Sequence, residues 1–146
     1  MSRFSFIFIG SFTLLISILS FLNIIYSYYL NLFLNIDIYF IIFLFTLVLG
    51  LFLIFFRRIH FNKINIYEKI FIVILGYLSF PIIISLPFYF SIENISYLNS
   101  YFEAISGFTS TGFSIFENIK QLDQSLIIWR SSSQWIGGLY FLFSLL

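Results

Sequence analysis

The spacing of ionisable residues constrains this chain more than any other feature. Three stretches carry no formal charge: the 33 residues 4–36, the 19 residues 38–56 and the 23 residues 70–92. The hydrocarbon core of a bilayer is crossed by a helix of about 20 apolar residues. Because 61% of the chain is hydrophobic and only 9% is charged, a soluble fold could not bury the apolar surface. Each stretch therefore predicts a membrane-spanning helix.

Four spanning helices are predicted in all, at about 6–28, 38–56, 70–89 and 126–146. The fourth contains a single charged residue, Arg130. The first is longer than the apolar core of a secretory signal peptide and is followed by no cleavage motif, so we expect it to be retained. The predicted fold class is an all-α integral membrane protein.

Basic residues predict the orientation of these helices, since short cytoplasmic loops retain Lys and Arg. Four of the seven lie between the second and third spans: Arg57, Arg58, Lys63 and Lys69. This loop and the N-terminus are predicted to be cytoplasmic. The opposite side then carries a net charge of −3, which attracts cations.

Several classes of function are excluded by what the sequence lacks. There is no Cys and only one His, His60, so sites built from several Cys and His residues are ruled out. A net charge of +1 provides no basic surface for nucleic acid. The nucleophile, phosphate-loop and metal-binding motifs of enzymes are also missing, which predicts a protein that is not an enzyme.

Residues 91–125 are too polar for a spanning helix and too apolar for an ordinary loop. Within them, residues 101–108 are predicted to form a short helix with Asn99 as the N-cap and Gly107 as the stop signal. Such a helix is too short to cross a bilayer. It can lie at membrane depth only where protein or a water-filled cavity surrounds the irregular backbone that follows it.

That backbone has the composition of a cation filter. The run from Thr109 to Ser114 combines hydroxyl side chains with Gly112, and filters for potassium use backbone carbonyls in place of the hydration shell. If the short helix directs its C-terminus at this segment, its dipole adds negative potential there. A surface turn rich in Ser, Thr and Gly has the same composition, so composition alone leaves both interpretations open.

Three motifs in order between residues 86 and 138 resemble the TrkH and KtrB type potassium transporters of the Trk/Ktr/HKT superfamily. They are Leu86-Pro87-Phe88, then Phe102-Glu103-x-x-Ser106-Gly107-Phe108-Thr109-x-Thr111-Gly112, then Trp129-Arg130 with Gln134-Trp135-Ile136-Gly137-Gly138. Two positions depart from the family pattern. Ser110 stands where Thr is common, and Leu139 follows the paired glycines where a Met-Gly stretch is frequent.

The resemblance implies four repeats of helix, pore loop and helix around one ion path. Residues 1–66 correspond to a leading pair of transmembrane helices with the basic cytoplasmic loop, and residues 67–146 to the first repeat. Because the last helix ends within an apolar run, we expect the N-terminal part of a longer transporter. The other three repeats would then lie in the same longer chain or in a separate polypeptide; a homotetramer of single loops is the alternative.

The resemblance also assigns the site residues. The filter segment is formed by Thr109, Ser110, Thr111 and Gly112, with potassium bound at Ser110 and Thr111. A Gly at the position of Gly112 is associated with potassium in this superfamily, and a Ser with sodium.

Three further residues are predicted to support the pore helix and the filter: Glu103, Gly107 and Arg130. Glu103 lies on the short helix and Arg130 near the outer end of the fourth span, so a salt bridge between them would brace the pore helix. An ionisable residue within the membrane is by default a candidate for function, so direct contact with the ion is one alternative to bracing, and simple solvation near the interface is another.

The predicted function is potassium transport across the bacterial inner membrane, with one of four filter segments supplied by this chain and no cofactor besides the transported ion. The resemblance also implies a cytoplasmic nucleotide-binding regulator of the TrkA or KtrA type. The alternative is a structural or accessory membrane protein that does not conduct. The two differ in whether other filter segments complete a pore.

Overall fold

A computed structural model describes residues 3–32, 35–55, 66–119 and 122–145. Within these ranges the chain is helical and contains no strand. The five helices, in chain order, are α1 (Arg3–Tyr29), α2 (Ile36–Phe55), α3 (Ile66–Ser91), α4 (Tyr97–Phe108) and α5 (Gln124–Leu145). Of the four basic residues in the loop predicted between the second and third spans, Lys69 lies in α3, and Arg57, Arg58 and Lys63 lie outside the described residues.

Three of these helices are long and apolar enough to cross a membrane: Phe6–Tyr29, Ile36–Phe55 and Ile66–Ser91. They match the first three predicted spans to within a few residues. The fourth predicted span forms α5, which has 22 residues, but it is not among the three, because Arg130 and the polar run 131–134 lower its hydropathy. That α5 also spans the bilayer stays a prediction.

The first two helices form an antiparallel hairpin that crosses at two glycines. A Cβ atom built on Gly50 would lie 2.8 Å from Leu14 Cδ2, and one on Gly10 would lie 3.2 Å from the carbonyl oxygen of Gly50. The two backbones therefore approach closely, in the manner of small-residue contacts between membrane helices.

The remaining helices meet α1 around the ring of Tyr140, which is fully buried. Its centroid lies 4.9 Å from that of Phe12, 5.4 Å from that of Phe80 and 5.6 Å from that of Phe108. Its hydroxyl donates to the carbonyl of Ile72 at 2.8 Å. One side chain of α5 thus contacts α1, α3 and α4 together.

The short helix α4 runs back along α3. Its first residue, Tyr97, places its ring 5.8 Å from that of Tyr89, near the end of α3. One turn later, the Tyr101 hydroxyl donates to the carbonyl of Leu78 at 3.1 Å. The last residue, Phe108, lies beside Phe80 in the middle of α3. The segment that follows α4 therefore begins halfway along a helix long enough to span.

Both predicted end signals of this helix were wrong. The N-cap is Ser96, whose hydroxyl accepts from the backbone N–H of Asn99 at 3.2 Å, so the helix begins four residues before the predicted start. Gly107 lies within the helix, whose C-cap is Thr109. Its lack of a side chain serves packing instead, since a Cβ there would lie 2.6 Å from Ser133 Oγ on α5.

Candidate cation-binding loop

Residues 109–112, here called the filter loop, leave α4 with four consecutive backbone N–H groups directed back at it. The donors and acceptors are Thr109 to Ile105 at 2.8 Å, Ser110 to Gly107 at 2.9 Å, Thr111 to Ser106 at 3.1 Å and Gly112 to Ser106 at 3.4 Å. These bonds occupy carbonyls of the last helical turn, which have no partner within the helix itself.

The carbonyls of the same peptide units face the opposite way. In a trans peptide the C=O points opposite to the N–H of the next residue, and no described peptide is cis. The carbonyls of Thr109, Ser110 and Thr111 therefore point away from α4. Within the part of the chain that the structure describes, these three oxygens accept no hydrogen bond. Because the three residues are exposed, these carbonyl oxygens form a row that is open to solvent.

The hydroxyl groups of the filter loop hold it in place. Thr109 Oγ1 donates to the carbonyl of Ile105 at 2.7 Å, Thr111 Oγ1 to that of Ser106 at 3.1 Å, and Ser110 Oγ to that of Gln134 on α5 at 3.2 Å. The Ser and Thr residues of this run predicted that hydroxyl oxygens would lie near a bound cation. At Ser110 the hydroxyl is directed to α5 instead, and the carbonyl is the group left open.

Gly112 differs from the rest of the predicted filter set. It has a φ of +79°, which favours glycine, and Ser110, with a φ of +57°, also has left-handed backbone. The carbonyl oxygen of Gly112 lies 3.3 Å from Arg130 Nη2. The four predicted carbonyls thus divide into three that are open and one that faces a guanidinium.

The structure contains the predicted salt bridge between Glu103 and Arg130. The carboxylate is fully buried, and Arg130 Nε lies 2.5 Å from Glu103 Oε1. Glu103 also accepts from Ser114 Oγ at 3.1 Å and from the backbone N–H of Ile115 at 3.1 Å. A buried carboxylate with this many donors meets the condition under which burial of a charge is tolerated.

Close packing of α5 against the end of α4 depends on Gly137. A Cβ atom at that position would overlap the carbonyl oxygen of Phe108. The adjacent Gly138 faces open space, since a Cβ atom there would meet nothing within 4 Å. The paired glycines were noted in the sequence as a motif, but which of the two makes the contact depends on the rotation of α5.

Two other residues of the site lie within the segments quoted from the sequence but were not predicted to be site residues. Ser106 is 4% exposed, and its hydroxyl donates to the carbonyl of Phe113 at 2.6 Å. Ser114 binds the carboxylate of Glu103. Ser106 lies three residues after Glu103 and so on the same face of α4, which is the one signal that could have identified it.

The described residues offer no cluster of three or more His, Cys, Asp or Glu side chains that could hold a metal ion. Lys120 and His60 lie outside the described ranges.

Comparison with known proteins finds partial similarity to transporters. Over 54 residues, 37% of this chain, the sequence is 41% identical to an uncharacterized cation transporter, MJ1485, of Methanocaldococcus jannaschii. Over 55 residues it is 38% identical to the Trk system potassium uptake protein TrkI of Halomonas elongata, and over 69 residues 29% identical to TrkG of Escherichia coli. These segments are 38% and 47% of this chain.

The matched segments cover only 11% of the first two relatives and 14% of the third. No family model matches the chain. No solved structure matches it either. The apolar helices and these relatives together define a class, a helical multi-pass membrane protein with partial similarity to cation transporters. Two of the three named relatives are Trk-type potassium uptake proteins.

Proposed function

We infer that this chain contributes one of four filter segments to a pore that moves potassium across a membrane. The observation that carries the proposal is the row of carbonyl oxygens at Thr109, Ser110 and Thr111, which are exposed, point away from α4 and accept no hydrogen bond from the described residues. Carbonyl oxygens can replace the hydration shell of a monovalent cation. Potassium is bound at Ser110 and Thr111, the second and third residues of the row.

The position of α4 supports this function. The helix has 12 residues and a length of about 18 Å, so it enters the membrane beside α3 and stops there. Its C-terminal end leads directly into the filter loop, and the negative end of its dipole stabilises a cation at that point. Irregular backbone at such depth is compatible with a membrane only where protein buries it or where it lines a water-filled cavity.

Charge balance around the filter loop also supports a cation path. Arg130 brings a positive charge to within 3.3 Å of the Gly112 carbonyl, where an unpaired guanidinium would repel a cation. Glu103 pairs with it, so the net charge behind the loop is close to zero. Glu103 and Arg130 brace the pore helix and do not contact the ion. Gly107 supports the loop because its lack of a side chain allows α5 to pack closely.

The rest of the filter comes from outside these described residues. A single loop supplies carbonyls from one side, whereas filters of this kind are rings. The exposed ring of Phe113, at 70%, lies next to the filter loop and fits the contact with a neighbouring segment. The other three segments are provided by further repeats of the same protein or by a separate polypeptide. A cytoplasmic nucleotide-binding protein of the TrkA or KtrA type is the proposed regulator.

Growth on limiting potassium tests the proposal. A bacterium that lacks its own potassium uptake systems would express the full chain alone, or together with the repeats that complete the pore, and rubidium uptake would be measured beside growth. We expect growth and uptake only when the remaining segments are supplied. Membrane insertion of the chain is checked in both strains by its amount in the membrane fraction.

Two other outcomes have definite meanings. Uptake by the chain alone would identify a homo-oligomeric pore and contradict the contribution of one segment in four. Normal membrane insertion with no uptake in any combination would contradict potassium transport and favour an accessory protein that does not conduct.

A further inference from the structure

The backbone that leaves the filter loop is held at one atom by two different side chains. The carbonyl oxygen of Phe113 accepts from Ser106 Oγ at 2.6 Å and from Arg130 Nη2 at 3.2 Å. Ser106 belongs to α4 and Arg130 to α5. This shared acceptor, here called the Phe113 clasp, ties the outgoing backbone to both helices that flank the loop.

Ser106 contacts the incoming side of the loop as well. Its carbonyl accepts from the N–H groups of Thr111 and Gly112, and its hydroxyl lies 3.2 Å from Thr111 Oγ1. One buried residue therefore fixes the position of Thr111 and of Phe113, on the two sides of Gly112. Displacement of its hydroxyl would change the spacing between the open carbonyls and the outgoing chain.

The clasp also accounts for the orientation of Gly112. The same nitrogen of Arg130 reaches the carbonyls of Gly112 and Phe113, at 3.3 and 3.2 Å. The salt bridge with Glu103 orients the guanidinium, and the oriented group binds two consecutive carbonyls. Without the hydrogen bond from Ser106, the carbonyls of Gly112 and Phe113 would be held by Arg130 alone and would be less restricted.

We propose that Ser106 is a positioning residue that sets the selectivity of the filter for potassium over sodium through the Phe113 clasp. The proposal rests on the proposed function, because selectivity has meaning only in a conducting pore. Its physical basis is that carbonyls held apart by a fixed backbone coordinate the larger ion, and released carbonyls can close around the smaller one. Ser106 itself does not touch the ion.

The test compares Ser106→Ala with Ser100→Ala. Ser100 lies on the same helix and is fully buried, but its hydroxyl donates to the carbonyl of Ser96, away from the filter loop. The two variants thus lose the same group from the same helix. Two quantities are measured: amide hydrogen exchange of the purified full chain in nanodiscs, and the ratio of rubidium to sodium uptake by the completed pore in cells.

For Ser106→Ala we expect the amides of Ile115 and Phe116 to exchange about fivefold faster, which is the factor expected from loss of one ordinary hydrogen bond. The uptake ratio should fall by a similar factor, about fivefold, while total uptake persists. For Ser100→Ala both quantities should match the unaltered protein.

Each contrary result would overturn a particular part of the proposal. Faster exchange with an unchanged uptake ratio would refute the role of the clasp in selectivity. A changed ratio without faster exchange would refute the clasp as its mechanism. If the unaltered pore carries no rubidium, the proposed function fails together with the selectivity claim. The exchange data then distinguish that failure from a failure of the clasp, since they do not depend on conduction.

Discussion

The α1–α2 hairpin and the unit formed by α3, α4 and α5 are stabilised in different ways. In the hairpin, the side-chain hydroxyls mostly bond to their own helix, as Thr13 does to Ile9 at 2.8 Å. Ser17 is an exception, since its hydroxyl donates to the carbonyl of Phe43 on α2, at the long distance of 3.4 Å. The hairpin therefore depends mainly on shape and close approach.

The other unit depends on hydrogen bonds between helices. Trp129 Nε1 donates to the carbonyl of Ile84 at 2.9 Å, Tyr140 to that of Ile72, and Tyr101 to that of Leu78. Tyr101 lies on α4, and the other two donors lie on α5. Backbone carbonyls of α3 thus fix the helices on either side of the filter loop, which is what a filter of fixed geometry requires.

Two buried polar side chains, one in each region, are expected to have opposite effects on stability. In the hairpin, both side-chain polar atoms of Asn23 are buried without a partner among the described residues. Around the filter loop, the buried Glu103 is satisfied by several donors. Removal of the polar group should therefore stabilise the protein at Asn23 and destabilise it at the ion pair of Glu103.

The largest effect is expected for Arg130→Met, which leaves the carboxylate of Glu103 buried without its counter-charge. Loss of one partner of a buried ion pair costs about 3–5 kcal/mol. Equilibrium unfolding in mixed micelles would measure the change, and the double variant Glu103→Gln with Arg130→Met should recover part of it. A loss below about 1 kcal/mol, typical of exposed pairs, would contradict the importance of this pair.

A smaller loss of stability is expected for Gly137→Ala, because the added methyl group overlaps the carbonyl of Phe108 and pushes α5 away from α4. Overpacking of this kind costs about 1–3 kcal/mol. Gly138→Ala is the matched control, since it faces open space and gains helix propensity of up to about 1 kcal/mol. Equal unfolding free energies for the two variants would show that α5 is rotated differently.

For Asn23→Leu in the hairpin, the change in the free energy of unfolding should have the opposite sign. Leucine has the same branched arrangement of heavy atoms and removes two unpaired polar atoms, each of which is costly to bury. We expect the free energy of unfolding to rise by about 1–2 kcal/mol. If this variant is less stable than the parent protein, Asn23 has a partner and the contrast between the two regions fails.

The smallest change is expected for Tyr140→Phe, which keeps the buried ring and removes its hydrogen bond to Ile72. The cost should be about 0.5–1.5 kcal/mol. Chemical denaturation of both proteins would detect it, with Tyr89→Phe near the end of α3 as a partly exposed control. A cost near zero would mean that ring packing alone positions α5 on α3.

The sequence was sufficient to predict the elements that depend on local composition. Charge-free stretches predicted α1, α2 and α3, because lipid selects for apolar length. The change in composition after residue 91 predicted a short helix followed by a loop of Ser, Thr and Gly. The pairing of Glu103 with Arg130 was also predicted, because two opposite charges in apolar surroundings are stabilised when they pair.

What the sequence could not predict depends on contacts between distant residues. The role of Ser106 requires that Phe113 folds back on α4, and the role of Gly137 requires that α5 approaches Phe108. The N-cap was misplaced because Ser96 and Asn99 are both good caps, and the choice depends on where the chain turns after α3. Three carbonyls of the filter loop are open and that of Gly112 faces Arg130 because of the directions of the hydrogen bonds. Residue types do not specify these directions.

The ratio of rubidium to sodium uptake in Gly112→Ser is the most direct test of the central claim, that residues 109–112 form a potassium-selective segment of a pore. Gly138→Ser is the control, because it introduces the same side chain into open space on α5. The claim predicts that the ratio falls for Gly112→Ser and is unchanged for Gly138→Ser, at equal amounts of protein in the membrane. An unchanged ratio for Gly112→Ser in a conducting pore would contradict it.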